Sequence, residues 1–462
     1  YGSEISLFAW MTVNAAVLFL CSHPFAKGGT SMDTQQFEVI RPKCAGLDVH
    51  KKSVVAAVCT SDPITLTASY KTKVFNTTNS DIAALCDWLL AQDCHDVCME
   101  STGKYWIPIF NILEPHMHVI LTHPKYVKAI KGKKTDKRDA KWIANLFRFD
   151  IVKASFIPPA DIRALRELSR YRLKLSYMRT AEKNRYQNSM TISRIRIDCV
   201  LTDPFGLSAT RIMDYLLSDE PFNEEKCRSL IDWRVKASKD DVLDSIRGYN
   251  ILEEQKFKMT HAKAHMDFIN KSIDEIKAEL FLRSRQYDSQ IKRIATVTGI
   301  TELSALFILS EIGADMSVFE SDRHLCSWAG LTPANNESAN KKKSTRCSRA
   351  GQYLKPLLIQ CALAAVKSKK EPYFAIKYQR IAKRRGKKKA IIAIARMMLT
   401  SIYHMLSEDK DFHPDDYEAT VNPPKQKPVV LTIKNTLQFL REQGADPETL
   451  KLIQQQCSAQ AG

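Results

Sequence analysis

Residues 45–60, AGLDVHKKSVVAAVCT, carry the reading of the first third of this 462-residue chain. Two apolar runs separated by Lys51 and Lys52 read as strand, turn and strand. Outward from this hairpin, residues 65–75 read as a further strand and 80–92 as a helix with a Ser/Asp start. A strand at 96–101, a helix at 105–113, a strand at 118–122 and a helix from about 136 to 149 follow. Alternation of this kind predicts an α/β domain with a mixed sheet over residues 32–150.

Beyond residue 151 the strand signals vanish. Met259, Ala262, Met266, Ile269, Ile273, Ile276 and Leu280 recur at alternating spacings of three and four, a heptad seam. An earlier long helix, 162–197, carries Leu165, Leu168, Leu175 and Met178, and Asp203-Pro204-Phe205-Gly206 between the two is a turn signal. Residues 151–285 are therefore expected to be a helical coiled-coil region. It is either a spacer or a surface that pairs with a second protomer, the latter favoured because a bare two-helix seam leaves its apolar stripe in water. Residues 286–408 read as a compact, mostly helical segment, and 409–462 as a tail with a Pro-rich linker and polar amphipathic helices. The fold class expected is thus α/β plus all-α.

Residues 1–31 stand apart. The apolar run at 5–21 is about as long as a signal-peptide core, yet contains Ser6, Thr12 and Asn14 and has no basic stretch before it. The expectation is an upstream extension or artefact ahead of Met32, with a targeting peptide as the alternative.

Composition sets the class of partner. With 44% hydrophobic and 26% charged residues the chain has material for real cores, which excludes a disordered or collagen-like protein. The net charge of +18 points to a polyanion. Twelve scattered cysteines with no CxxC pair read as reduced thiols, not as zinc ligands or a disulfide framework.

Four carboxylates form the first constellation with chemistry in it. Asp48 lies inside an apolar strand, where an ionised side chain costs several kcal/mol unless a positive group compensates it. Glu100 ends another strand. Asp136 and Asp139, three apart at a helix start, share the face that Ile143 and Phe147 continue. Carboxylates converging from two strands and a helix suit a hard cation, Mg²⁺ (or Mn²⁺). Two such ions can clamp the attacking and leaving oxygens of a phosphoryl transfer. Taken singly, Asp136 also reads as a helix cap, Asp139 as a first-turn dipole residue and Glu100 as a loop solvator. Lys125, Lys128, Lys131, Lys133, Lys134, Lys137 and Arg138 flank the pair, as a site admitting a polyanion requires.

GLDVHK, MESTGKYW and KGKKTDKRDAKWIANL, in this order and spacing, resemble the Asp-Glu-Asp-Asp signature of the insertion-sequence 110 family of transposases. The resemblance covers nearly all of residues 38–408. It implies a RuvC-like, RNase H-type N-terminal domain with Asp48, Glu100, Asp136 and Asp139 as metal ligands. Val297-Thr298-Gly299-Ile300-Thr301 followed by the apolar helix at 304–312 resembles a helix-hairpin-helix DNA-backbone binder, with Thr301 where the family usually has a second glycine. HLCSWAGLTP (324–333) and NESANK (336–341) resemble the family's transposase-domain signature, which makes Ser338 the serine nucleophile. Asn340 and Cys347 depart from its usual residues. From the residues alone Ser338 is a turn serine like its neighbours Ser344 and Ser348, and only the resemblance singles it out.

A covalent phosphoserine would suit a recombinase, which must remake the bond it breaks without an outside energy source. The resemblance further implies a noncoding bridge RNA that specifies the DNA sites, and a homo-oligomer, dimer or tetramer, through the coiled coil. Two other functions stay open: a RuvC-like metal-dependent nuclease without serine chemistry, and an inactive nucleic-acid-binding relative.

The basic excess is concentrated. Residues 341–396 hold 18 of the 69 Lys and Arg and a single acidic residue, Glu371. Lys341, Lys342, Lys343, Arg346 and Arg349, and then Lys383, Arg384, Arg385, Lys387, Lys388 and Lys389, interleaved with tyrosines, read as a nucleic-acid surface dominated by phosphate contacts. That reading disfavours a membrane partner and suggests a cytoplasmic, nucleoid-associated protein. His261 and His265, spaced i, i+4, lack the further ligands of a zinc site and read as a solvated helix flank.

Overall fold

β1 (Lys43–Val49) and β2 (Ser53–Ser61) form the hairpin expected from residues 45–60, in antiparallel register from Lys43 opposite Thr60 to Val49 opposite Val54. The computed structural model describes residues 38–62, 64–101, 103–127, 135–218, 220–333, 336–338, 341–344, 346–348, 350–422 and 433–459. The chain divides into two units between Pro158 and Pro159.

In the first unit β3 (Ala68–Asn76) pairs antiparallel with β2, while β4 (Asp96–Glu100) and β5 (His118–Thr122) extend β1 in parallel, giving the order β3-β2-β1-β4-β5. The parallel pairs need crossovers. α1 (Asn79–Ala91) precedes β4 and α2 (Trp106–Leu113) links β4 to β5. The short α3 (Pro124–Val127) and then α4 (Asp136–Arg148) follow β5. The expected mixed sheet with helices is therefore present.

Strand alternation sorts the core into two faces. Ala45, Leu47 and Val49 of β1 pack with Ile82, Leu85 and Leu89 of α1 and Ile109, Phe110 and Leu113 of α2. Cys44 belongs to the opposite core, with Cys59, Cys98 and Trp142, Ile143, Leu146 and Phe147 of α4. Gly46, between them on β1, lets α4 touch the sheet: a Cβ there would lie 2.3 Å from the Ala140 carbonyl oxygen and 2.4 Å from the Ala144 nitrogen.

The second unit is mostly helical. α5 (Ala160–Ile192) packs along α10 (Glu253–Arg283), and between them come α6 (Ile197–Val200), α7 (Leu207–Leu216), α8 (Glu224–Ser229) and α9 (Lys239–Asp244). The single turn expected at residues 203–206 is real, with the Gly206 N–H donating to the Asp203 carbonyl at 3.1 Å. It opens a small helical cap, not a simple return. The seam residues Met259, Ala262, Met266, Ile269, Ile273 and Leu280 are buried. Ile269 and Ile273 pack on Leu175 of α5. Met259, Ala262 and Met266 join Tyr186, Met190, Ile212 and Leu243. The stripe is thus covered within the chain and by itself demands no second protomer. Met178, expected on the seam of the first helix, instead faces solvent.

α11 (Asp288–Ala295), α12 (Glu302–Ile312), α13 (Asp322–Trp328), the hairpin β6 (Asn336–Ser338) and β7 (Lys341–Ser344), α14 (Leu354–Ala365), α15 (Tyr373–Arg385) and α16 (Lys387–Glu408) complete this unit's core region. α17 (Tyr417–Val421), α18 (Ile433–Glu442) and α19 (Pro447–Ala459) follow. α16 has the length and apolar composition of a membrane span. It nevertheless packs against α11, α13, α14 and α15 and buries Ala390, Ile394, Met398, Leu399 and Ile402. Residues 1–31 lie outside the described residues.

Candidate active site

The site grows out of β1. Asp48 sits on the same strand face as Cys44 and Gly46, toward α4, and only 6% of it is exposed. Its cross-strand partner is Val55, which packs with Ala57 and Ala140. Glu100 ends β4, whose register pairs Leu47 with Met99, so Glu100 falls one step on, beside Asp48. Because the backbones of β1 and α4 touch at Gly46, the first turn of α4 is carried over the same strand ends. That turn bears Asp136 and Asp139, with Thr135 in the N-cap position, so Asp136 is a first-turn residue and not the cap.

The four carboxylates share one electrostatic field. Burial pushes the Asp48 carboxyl above its usual range; His50 pulls it down, and Asp139, Asp136 and Glu100 each push it further up. Burial is the main cause, and the three neighbouring carboxylates add to it.

The structure also brings in a residue that carboxylate counting overlooks. His50 Nε2 lies 3.3 Å from Asp48 Oδ2 and 3.6 Å from Asp136 Oδ2. The three ligand atoms are within 4.8 Å of one another. The Nε2 atom is buried and has no hydrogen bond of sound geometry among the described residues. The signal in the sequence was the strand period, since His50 is two residues beyond Asp48 and so on the same face. An orphaned imidazole nitrogen and several oxygen donors around one point fit a divalent cation.

Other expected site residues are distributed as follows. Lys137 and Arg138 are exposed on the first turn of α4, whereas Lys128, Lys131, Lys133 and Lys134 lie outside the described residues. Ser338 ends β6 and pairs with Lys341 of β7, so its backbone is in a two-stranded hairpin and not in a plain turn. Its side chain, and those of Lys341, Lys342, Lys343 and Ser344, lie outside the described part, as does Arg349. Lys383, Arg384 and Arg385 end α15, and Lys387, Lys388 and Lys389 begin α16 across Gly386, whose φ of 86° permits the sharp junction. All six are exposed. The hairpin glycine Gly299 packs inward, where a Cβ would meet the Ala365 nitrogen and the Cys361 carbonyl of α14 at 2.6 Å. His265 faces Glu182 of α5 at 3.0 Å and the His261 ring lies against that of Phe257, tilted by 34°, so the two rings have separate partners.

Comparison with known proteins gives this arrangement a context. A family profile described as "Transposase", of the DEDD insertion-sequence 110 type, matches residues 45–193, and one described as "Transposase IS116/IS110/IS902 family" matches residues 291–379. A probable family 20 transposase of Pseudomonas aeruginosa is 25% identical over 324 residues, 69% of this chain and 86% of the relative. Pilin gene-inverting proteins of Moraxella bovis and Moraxella lacunata are each 31% identical over 123 residues, 26% of this chain and 37% of the relative. With the first profile spanning all four carboxylates and the second spanning Ser338, the chain belongs to the insertion-sequence 110 (IS116/IS110/IS902) family of transposases, enzymes of the DNA transposase and recombinase class.

Proposed function

We propose that this transposase cuts and rejoins DNA by transesterification, with Asp48, Glu100, Asp136 and Asp139 as the cation-holding set and Ser338 as the nucleophile. The observation that carries the proposal is that Asp48 at the end of β1 has Asp136 of α4 within reach of one ion and feels the charges of Asp139 and Glu100 as well. The sheet order, three antiparallel strands continued by two parallel ones, supports an RNase H-type, RuvC-like domain. Mg²⁺ or Mn²⁺ bound there would neutralise the scissile phosphate and stabilise its attacking and leaving oxygens.

In the proposed step the Ser338 hydroxyl oxygen bonds to phosphorus as the bond from phosphorus to the departing strand oxygen breaks. The departing hydroxyl takes up the proton that serine gives up. Attack by another strand's hydroxyl reverses the exchange and frees the serine, so the bond energy is kept throughout. The exposed lysines and arginines at the junction of α15 and α16 would hold backbone phosphates, and Lys137 and Arg138 would do so beside the carboxylates. Family likeness adds a guiding noncoding RNA and assembly into a homo-oligomer. The gene-inverting relatives are in keeping with strand exchange.

One observation favours a second reading. The carboxylate set is complete within the first unit, whereas Ser338 belongs to the second, so a hydrolytic nuclease could work without the serine. The test is to incubate the full chain, with the RNA that copurifies with it and DNA carrying the element's ends, in Mg²⁺, and to look for protein linked to DNA. An adduct lost in Ser338→Ala and kept in Ser344→Ala and Ser348→Ala is the expected result. Cleavage that survives Ser338→Ala but fails in Asp48→Ala would replace the proposal with the nuclease. Absence of both adduct and cleavage would leave a binding protein.

A further inference from the structure

The carboxylate cluster contains a donor that the four-acid set does not account for. His50 follows the end of β1, where its N–H donates to the Ser53 carbonyl at 2.9 Å and pins the mouth of the hairpin. Thr77 adds a second tie, its hydroxyl donating to the Lys51 carbonyl at 2.9 Å. The ring is 45% exposed, yet its Nε2 is turned inward and buried. A buried nitrogen facing two carboxylate oxygens without a well-formed hydrogen bond to either is a costly arrangement. A cation among the three atoms would give that nitrogen a partner.

We propose that His50 Nε2 is a direct ligand of the cation held between Asp48 and Asp136, which makes this position a mixed nitrogen and oxygen site that favours Mn²⁺ over Mg²⁺. The inference rests on the metal-dependent reading above and goes beyond it. Three observations support it. Geometry comes first. An octahedral ion with bonds of about 2.1 Å sets adjacent ligands roughly 3.0 Å apart and opposite ones roughly 4.2 Å apart. The separations of 3.3 and 3.6 Å, with all three atoms inside 4.8 Å, need only small adjustments to reach that pattern. The second is position, since the strand period puts the imidazole on the face of Asp48 while the hairpin mouth fixes its backbone. The third is chemistry. Mg²⁺ prefers oxygen donors and keeps several waters, whereas imidazole suits softer divalent ions, so a nitrogen ligand shifts preference along the series toward Mn²⁺ and beyond.

The alternative is that His50 only bridges the two carboxylates from outside the coordination sphere. Mn²⁺ separates the two because its unpaired electrons couple to a directly bound nitrogen. The full chain is loaded with Mn²⁺ and studied by pulsed electron paramagnetic resonance, with binding followed by the loss of the free-ion signal and by competition with Mg²⁺. The expected result is ¹⁴N modulation of a bound imidazole in the wild-type protein. In His50→Gln the modulation disappears and Mn²⁺ affinity falls roughly tenfold, while Mg²⁺ affinity changes by about twofold or less. The wild-type spectrum needs no variant, so a folding defect in His50→Gln leaves the test intact. Mn²⁺ that binds, is lost in Asp48→Asn and shows no nitrogen coupling would overturn the role of His50 and leave the carboxylate site standing. Nitrogen coupling unchanged in His50→Gln would do the same by assigning the ligand elsewhere. Failure of the wild-type protein to bind Mn²⁺ at all would overturn both readings.

Discussion

Asp48 is the single side chain on which the proposed chemistry turns. A carboxylate in a strand whose neighbours are Leu47 and Val49 is out of place unless something positive is brought to it, and three further carboxylates make the need greater. Its folded-state pKa is raised, so the ionised form is what folding disfavours. Asp48 therefore adds most to stability below the carboxylate's unfolded value, and that contribution is lost as pH rises through the raised one. At neutral pH without divalent ions, Asp48→Asn should accordingly stabilise the protein and raise its Tm. Mg²⁺ or Mn²⁺ should raise the Tm of the wild-type chain and leave that of the variant unchanged. Thermal scans with and without the ions check both halves, and an Asp48→Asn protein less stable than wild type in chelator would contradict the account. Asp48 was legible because charge inside an apolar run has few explanations. His50 was not singled out, since a histidine after a strand carries no meaning until the fold shows what its nitrogen faces.

At the scale of elements, the proposed site depends on how closely α4 docks on β1. Gly46 is required by contact and not by an unusual backbone angle: any Cβ would drive into the Ala140 carbonyl and the Ala144 nitrogen, neither of which can rotate away. Gly46→Ala should cost about 3 kcal/mol, the upper end for overpacking, because backbone and not a flexible side chain is struck. Denaturant unfolding measures the loss, and cation binding should weaken with it as Asp136 and Asp139 shift. A fully stable Gly46→Ala protein would show that the two backbones are not in contact.

In the second unit the equivalent joint is ionic. Glu311, 5% exposed on α12, accepts two hydrogen bonds of 2.8 Å from Arg170 of α5. Arg166 donates to the Ser310 and Glu311 carbonyl oxygens from the same helix. Burial holds the Arg166 guanidinium down to about 10 despite the pull of Glu311. Glu311→Gln leaves buried positive charge unpaired and should cost about 3 kcal/mol. A shift in urea midpoint equivalent to less than 1 kcal/mol would mean that water reaches the pair. Nothing in the helix containing Glu311 announces this role, because its partners are 141 residues distant in sequence.

For the molecule as a whole, the distribution of charge shows where the proposed reading would have it meet DNA. Nearly all of the +18 resides in residues 341–396. None of Lys383, Arg384, Arg385, Lys387, Lys388 and Lys389 forms an ion pair among the described residues, so their charge is available to phosphate. Replacing Lys387, Lys388 and Lys389 by alanine should weaken DNA binding about equally for all sequences. The salt dependence, log K against log salt, should flatten by about 0.9 for each phosphate contact removed. Binding isotherms at several salt concentrations test this, and an unchanged slope would place the phosphate contacts elsewhere. Helix α16, which begins with these lysines, also shows why composition alone misleads: its apolar length is that of a membrane span, but its apolar face is spent on α13, α14 and α15.

The amino-acid sequence by itself determined the strand and helix order of the first unit, and it singled out the four acids and the basic run of the proposed site. These follow from periodicity, from local turn chemistry and from the cost of charge in apolar surroundings, all of which act over a few residues. It also indicated the seam of α10, though not what would cover it, because an apolar stripe is satisfied equally by a second protomer or by a helix of its own chain. Tertiary structure alone decided that α5 and the helical cap cover it, that Gly46 lets α4 carry Asp136 over Asp48, and that His50 faces both. Those outcomes depend on contacts between segments far apart in sequence. Such contacts form only when the whole unit closes; the strand period puts His50 on the face of Asp48, but it does not say what that face meets.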